Sequence, residues 1–127
     1  MALPRALIVG RGRSYGLQVV SHLTPFLNPV GISVLWPFST STLALALRTL
    51  HPPARVLAMG GAYSAEEAAE AKTVFEEYRK EVEEKIDEYG EGEAGQKTAF
   101  VKVHGVTEGG PPAVAAFIKA EMEKEFK

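Results

Sequence analysis

Cysteine is absent from this 127-residue chain, and neither sign of charge dominates it. Without a thiol, the protein can form no disulfide, no Cys–His metal site and no thiolate nucleophile. Its 14 Lys and Arg residues face 16 Asp and Glu residues, which leaves a formal net charge of −2. Nucleic-acid-binding domains typically carry a clustered basic excess, so this balance argues against nucleic acid as a partner.

Long apolar runs are missing as well. No stretch of the sequence approaches the roughly 20 apolar residues that a transmembrane helix needs. The N-terminus lacks the basic start and apolar core of a signal peptide, so we expect a cytoplasmic protein. The three histidines are scattered, and we expect no metal site. A hydrophobic content of 46% and a charged content of 24% are typical of one globular domain, here residues 1–127.

The apolar pattern alternates between short strand-like runs and longer helix-like ones. Strands are predicted at residues 3–9, 31–36, 55–59 and 98–103. Helices are predicted at residues 14–27, 41–50, 64–89 and 113–124. Pro25 is expected to kink or end the first of them, and a capping box at Ser64 and Glu67 begins the third. This alternation predicts an α/β fold with a parallel sheet and helices on both faces.

Ligands of such sheets bind at the carboxyl ends of the strands. The loops expected at that edge are residues 10–16, 36–41, 60–64 and 104–112. Three of these four loops are rich in glycine, which favours a ligand-binding edge.

The first of these loops is the most informative, because the apolar residues 6–9 are followed by Gly10-Arg11-Gly12-Arg13-Ser14-Tyr15-Gly16. A strand that breaks into glycines and resumes as a helix presents backbone N–H groups to a phosphate. Gly10 and Gly12 match the start of the strict pattern G-x-G-x-x-G, but Tyr15 occupies its third glycine position. The looser spacing G-x-x-x-G-x-G fits better, with Ser14 replacing its middle glycine and Gly16 at its end.

The segment of residues 6–23 resembles the first βα unit of short-chain dehydrogenase/reductase and NmrA-like Rossmann proteins. The resemblance covers about half of the chain and implies a Rossmann-like three-layer sandwich with four or five parallel strands. It implies that Gly10 makes the turn, that Gly16 allows close helix–strand packing and that Ser14 meets a phosphate. Arg13 matches a position where NADP-preferring members often carry a basic residue. Gly60 and Gly61 resemble the small-residue turn beside the adenosine ribose.

Other parts of the family pattern are missing. The second strand ends in Leu35-Trp36-Pro37-Phe38, without the acidic residue that binds the ribose of NAD, so NADP(H) fits better than NAD. The family's Tyr-x-x-x-Lys pair is also absent. The resemblance therefore implies NAD(P) binding without that family's dehydrogenase catalysis, and it leaves open whether the protein is an enzyme. The alternative is a non-catalytic accessory protein without a cofactor, since glycine also serves left-handed turns and tight packing.

Three further features bear on function, and the first two have two interpretations each. His104 ends the fourth predicted strand, where a histidine can contact a phosphate or transfer a proton, or simply occupy a surface loop. Trp36 and Phe38 can stack on an adenine, or belong to the core or a subunit interface. The two open edges of a four-stranded sheet favour a homodimer, with the helix at residues 113–126 as one candidate contact.

Overall fold

The computed structural model describes residues 3–90, 95–104 and 109–126, and it describes only the backbone of residues 29–34 and 86. The strands are β1 (Arg5–Gly10), β2 (Asn28–Val34), β3 (Val56–Met59) and β4 (Ala99–Lys102). The helices are α1 (Arg13–Leu23), α2 (Thr40–Arg48), α3 (Ala65–Glu84), α4 (Ile86–Tyr89) and α5 (Gly110–Glu125). The predicted alternation of strands and helices is confirmed.

The strands form one parallel sheet in the order β2-β1-β3-β4. In the centre, β1 pairs with both neighbours, so that Ile8 lies opposite Ile32 on one side and Ala58 on the other. β4 extends the sheet beyond β3, with Lys102 opposite Met59. The α/β class with a parallel sheet, predicted from the hydrophobic pattern, is therefore confirmed.

The connections after β1 and after β3 run in opposite directions. From β1 the chain passes through α1 to β2, at one edge of the sheet. From β3 it passes through α3 to β4, at the other edge. Because β1 and β3 are adjacent, the topological switch point lies between them, and doubly wound sheets bind ligands at such a point. Dinucleotide-binding sheets usually have β3 outside β2, whereas β3 here lies beside β1, as in flavodoxin-like sheets.

Helices cover both faces of the sheet, α1 and α5 on one face and α2 and α3 on the other. Along β1, Leu7 and Val9 belong to the core under α2 and α3, while Ala6 and Ile8 belong to the core under α1 and α5. This is the near-continuous apolar run of a strand that is covered on both faces. The buried residues of α5 pack in the core that this helix shares with α1.

Two boundaries differ from the prediction near the first helix. α1 ends at Leu23, before Pro25, since a proline has no N–H to continue the helical hydrogen bonds. β2 begins at Asn28 and includes Pro29, which the prediction treated as part of a break before residue 31. β2 lies at the edge of the sheet, and an edge strand tolerates the missing N–H of a proline.

The third helix begins as predicted and ends earlier. The Ser64 hydroxyl accepts a hydrogen bond from the Glu67 N–H at 3.1 Å, and the Glu67 carboxylate accepts one from the Ser64 N–H at 2.8 Å, so the capping box is confirmed. The single helix predicted to residue 89 is wrong, because Lys85 leaves the helical conformation with φ −108° and ψ 57°. The short helix α4 follows and directs Tyr89 against His51, with ring centroids 5.4 Å apart.

Candidate functional site

A cavity of about 450 Å³ opens at the carboxyl ends of β1 and β3. The lining residues come from the first two glycine loops, the ends of three strands, α1 and α5: Ile8, Val9, Gly10, Arg11, Gly12, Tyr15, Gly16, Val19, Ala58, Met59, Gly60, Gly61, Ala62, Val103, Val114 and Ile118. The cavity therefore lies at the topological switch point, where this strand order is expected to bind a ligand. Its volume is typical of small-molecule sites.

Gly10 and Gly12 are not required by the fold. Neither has a positive φ, and Gly12 is extended, with φ −138° and ψ 140°. A Cβ atom added to either residue would meet no other atom of the described residues within 4 Å. Left-handed backbone and tight packing, the two structural reasons for glycine, are therefore both absent at these positions. The glycines instead leave an uncovered strip of backbone beside the cavity.

The beginning of α1 favours an anion. Gly12 is its N-cap residue and has no side chain to accept hydrogen bonds from the first turn, and the first intrahelical bond runs from the Gly16 N–H to the Gly12 carbonyl at 3.2 Å. Helix geometry leaves the earlier N–H groups without an intrahelical acceptor, and it puts a partial positive charge at this end. Exposed Arg11 and Arg13 add two cations, and the first turn contains no acidic residue. Negative groups bind readily at such a helix end.

The Arg11 guanidinium lies over the ring of Trp36, 5.2 Å from its centroid. Trp36 follows β2 and is 48% exposed, whereas Phe38 packs against the core. The rings of both residues contact Tyr63, with centroid distances of 5.9 and 6.0 Å. Of the two aromatic residues considered above, Phe38 thus contributes to the core, and Trp36 stays accessible beside a cation.

Tyr63 acts as a structural hydrogen-bond donor. Its hydroxyl donates to the carbonyl of Leu35 and thereby ties the end of β2 to the loop after β3. Burial of the phenol, with a further contribution from the negative charge of Glu67, raises the pKa of Tyr63 to about 12. The group therefore remains protonated at neutral pH and is poorly suited to proton transfer.

Lys102 brings a further cation to the carboxyl ends of the strands. Partial burial lowers its pKa, and its Nζ donates to the Val103 carbonyl at 2.8 Å. Lys102 and its neighbour Phe100 alternate along β4 with Ala99 and Val101, which belong to the core under α1 and α5. The Lys102 side chain therefore lies on the α2 and α3 face, away from the helices that line the cavity.

The structure brings together most of the residues considered from the sequence. Gly10, Gly12, Gly16, Gly60 and Gly61 all line the cavity. Arg13 and Ser14 lie exposed at the start of α1, outside the cavity lining. His104 is exposed at the same edge, with its ring 5.1 Å from that of Phe117, and residues 105–108 of the loop after it lie outside the described residues.

The residues that the sequence interpretation missed are the apolar ones of the cavity wall. Val19 of α1 and Val114 and Ile118 of α5 line the cavity, and none of the three was singled out from the sequence. Val114 and Ile118 are four residues apart on α5 and so lie on one helix face. No sequence signal distinguishes such a wall from ordinary core, because it depends on which helices become neighbours.

Within the described ranges, no three His, Asp or Glu side chains come together as a metal site, and no helix is long and apolar enough to cross a membrane. Comparison with protein-family models, with curated proteins and with solved structures finds no match for this chain. The residues of the cavity are therefore the basis for any functional conclusion.

Proposed function

We propose that this chain is a small NADP(H)-binding protein with a Rossmann-like fold, which holds the cofactor's phosphates at the loop between β1 and α1. The uncovered backbone at Gly10 and Gly12 carries the proposal, because neither backbone conformation nor packing calls for glycine there. Close approach of a phosphate to the backbone would explain why glycine stands at both positions. The adjoining cavity of about 450 Å³ supplies the volume of a ligand site.

The pyrophosphate would lie at the beginning of α1. The donors available to it are the N–H groups of the first turn and the exposed hydroxyl of Ser14, and the partial charge of the helix end adds to their attraction. Arg13 lies in the same turn and contributes a full positive charge. Gly60 and Gly61, which line the same cavity after β3, leave room beside Gly10 for a ribose.

Arg11 and Trp36 suit the adenosine end of the cofactor. Trp36 follows β2, where dinucleotide-binding units hold the adenosine ribose, and Arg11 of the loop after β1 lies over its ring. A guanidinium donates in a planar fork that matches a phosphate, and an exposed indole offers an apolar face for a purine. Residues 35–41, which follow β2, contain no carboxylate that would bind the ribose hydroxyl of NAD and repel a 2′-phosphate. NADP(H) is therefore favoured over NAD.

The proposal is cofactor binding without the catalysis of the short-chain dehydrogenases. Of the two tyrosines close to the cavity, Tyr63 is held protonated by burial and donates to a backbone carbonyl. Tyr15 lines the cavity, but Val19 and not a lysine stands four residues after it. Glu67 stands four residues after Tyr63, so neither tyrosine belongs to a Tyr-x-x-x-Lys pair.

Titration of the purified protein with NADPH, NADH and FMN tests the proposal. We expect NADPH to raise the melting temperature and to change its own fluorescence, because a ligand at 100 times its dissociation constant stabilises a protein by about 2.7 kcal/mol. FMN belongs in the experiment because sheets of this strand order bind it at the same switch point. Stabilisation by FMN alone would replace NADP(H) with a mononucleotide.

Two variants that each remove one positive charge, one at the proposed site and one far from it, complete this experiment. Arg13→Ala is expected to weaken NADPH binding, whereas Lys80→Ala, which removes an exposed cation from α3, is expected to leave it unchanged. An equal effect of both would show that only net charge matters. No response to any nucleotide at millimolar concentration would refute the proposal and leave the accessory protein without a cofactor as the better interpretation.

A further inference from the structure

The inner wall of the cavity differs in character from its mouth. The mouth contains Arg11 and the glycine loops, whereas the residues further from the sheet edge come from the strand interiors and from the facing sides of α1 and α5. These inner residues are Ile8, Val19, Ala58, Val114 and Ile118. All five are apolar and at most 8% exposed, so the inner wall is continuous with the core under α1 and α5.

Polar groups have no favourable place against this wall. A hydroxyl, an amide or a ring nitrogen that enters it would lose its water without gaining a side-chain partner among these five residues. The phosphates, sugars and hydrogen-bonding purine edge of a nucleotide therefore belong at the mouth. The inner part is suited to a group that carries no charge and few hydrogen-bonding atoms.

The inner cavity is one part of a space whose whole volume, mouth included, is about 450 Å³. Small residues create it, since Gly16, Ala58, Gly60, Gly61 and Ala62 all contribute to its lining. An added Cβ on Gly60 or Gly61 would make only ordinary contacts, at 3.6 Å or more, so packing does not require those two positions to be glycine.

We propose that the inner cavity binds the alkyl or aryl body of a small, uncharged organic molecule, as a second ligand beneath the nucleotide. The proposed function does not include this ligand: its place beneath a nucleotide rests on that function, whereas the site itself rests on the apolar wall. Binding transfers the apolar surface of the ligand from water to the inner wall, and it requires no charged group. A substrate or an effector of this protein would accordingly be an apolar molecule and not a sugar, a nucleotide or an amino acid.

A series of straight-chain alcohols from 1-butanol to 1-octanol tests the proposal on the full chain with labelled Ile and Val methyl groups. We expect the methyl signals of Ile8, Val114 and Ile118 to shift together. Val82, which is buried on the other face of the sheet, serves as the control signal and should not move. Affinity should rise about fourfold for each added methylene, the value expected for burial of one such group.

Two substitutions on α5 separate the inner cavity from the rest of the helix. Val114→Phe places a ring in the cavity wall and is expected to weaken octanol binding by roughly tenfold or more, the range of an overpacked site. Ala116→Phe adds a ring on the exposed side of α5 and should leave octanol affinity unchanged. Should Val114→Phe fail to fold, Ile118→Val removes one methylene from the wall and should move the best alcohol to a longer chain.

The outcomes distinguish this proposal from the nucleotide proposal. Alcohols that bind with the expected chain-length dependence support the inner site, whether or not NADPH binds. Equal affinity for butanol and octanol, or methyl shifts on both faces of the sheet, overturns it. Competition between octanol and saturating NADPH would also overturn it, because the two ligands would then occupy one space.

Discussion

Gly10→Ala should stabilise this protein and at the same time weaken its nucleotide binding. Gly10 has no positive φ, and in the part of the chain that the structure describes no atom lies within 4 Å of an alanine Cβ at that position. Alanine at a compatible position restricts the unfolded chain, which is worth about 0.4–1 kcal/mol. For a domain of this size, the melting temperature should rise by roughly 1–5 °C. The same methyl group would occupy the strip of backbone where we place a phosphate.

The assay combines urea unfolding of the free protein with titration by NADPH. We expect the unfolding midpoint to rise and the affinity to fall by at least about tenfold, since one lost charge-assisted hydrogen bond is worth roughly 1.5–3 kcal/mol. Gly90→Ala is the control, because Gly90 has φ +101°, which costs an alanine about 1–2 kcal/mol. It should lower stability and leave NADPH affinity unchanged.

Two results would refute the reasoning about Gly10. Destabilisation by Gly10→Ala would mean that the fold does require glycine there, as it does at Gly90. A stabilised variant with unchanged NADPH affinity would mean that no ligand approaches this backbone. The opposite signs of the two expected effects make the experiment informative, because a general loss of structure would lower both quantities.

Three further predictions concern other residues. Tyr63→Phe leaves the Leu35 carbonyl without its donor and should lower the free energy of unfolding by about 1–3 kcal/mol in urea; a loss below about 0.5 kcal/mol would contradict the role of this bond. The folded-state pKa of Tyr63 is raised to about 12 from 10.0, so its contribution to stability is fully present below pH 10 and is lost as the pH rises towards 12. The free energies of unfolding of wild type and Tyr63→Phe should therefore converge over that pH range. Arg11→Ala should weaken NADPH binding more than NADH binding, measured by fluorescence titration, and an equal loss for both would place the 2′-phosphate elsewhere. Ser64→Ala removes one half of the capping box and should cost about 1 kcal/mol, with nucleotide affinity as the unchanged control.

Local signals in the sequence predicted the features that depend on a few neighbouring residues. The capping box at Ser64 and Glu67 is decided within one turn, and Pro25 predicted a kink or an end of the first helix, although that helix was extended to residue 27 and ends at Leu23. The glycine loop is equally local, because a strand, a break and a helix follow each other directly. Short-range hydrogen bonds and backbone sterics are sufficient for all three.

Features that depend on distant neighbours were missed. Pro29 indicated a break, yet it lies within β2, and only the position of β2 at the sheet edge makes that acceptable. Lys85 interrupts a helix that the spacing of apolar residues extended to Tyr89, whose ring packs against His51, far away in sequence. The place of β3 beside β1 likewise follows from the direction of a crossover, and the hydrophobic pattern does not encode that direction.

The wall that α1 and α5 share has a consequence for how a ligand acts on the folded protein. Val19 and Ile118 come from opposite ends of the chain, so the cavity exists only while the first and last helices are packed together. If either helix detached, the cavity would be lost together with its ligand. A bound molecule would therefore stabilise the packing of both helices. We expect ligand binding to slow amide hydrogen exchange at both termini in parallel, which would join the two ends of the chain into one cooperative unit.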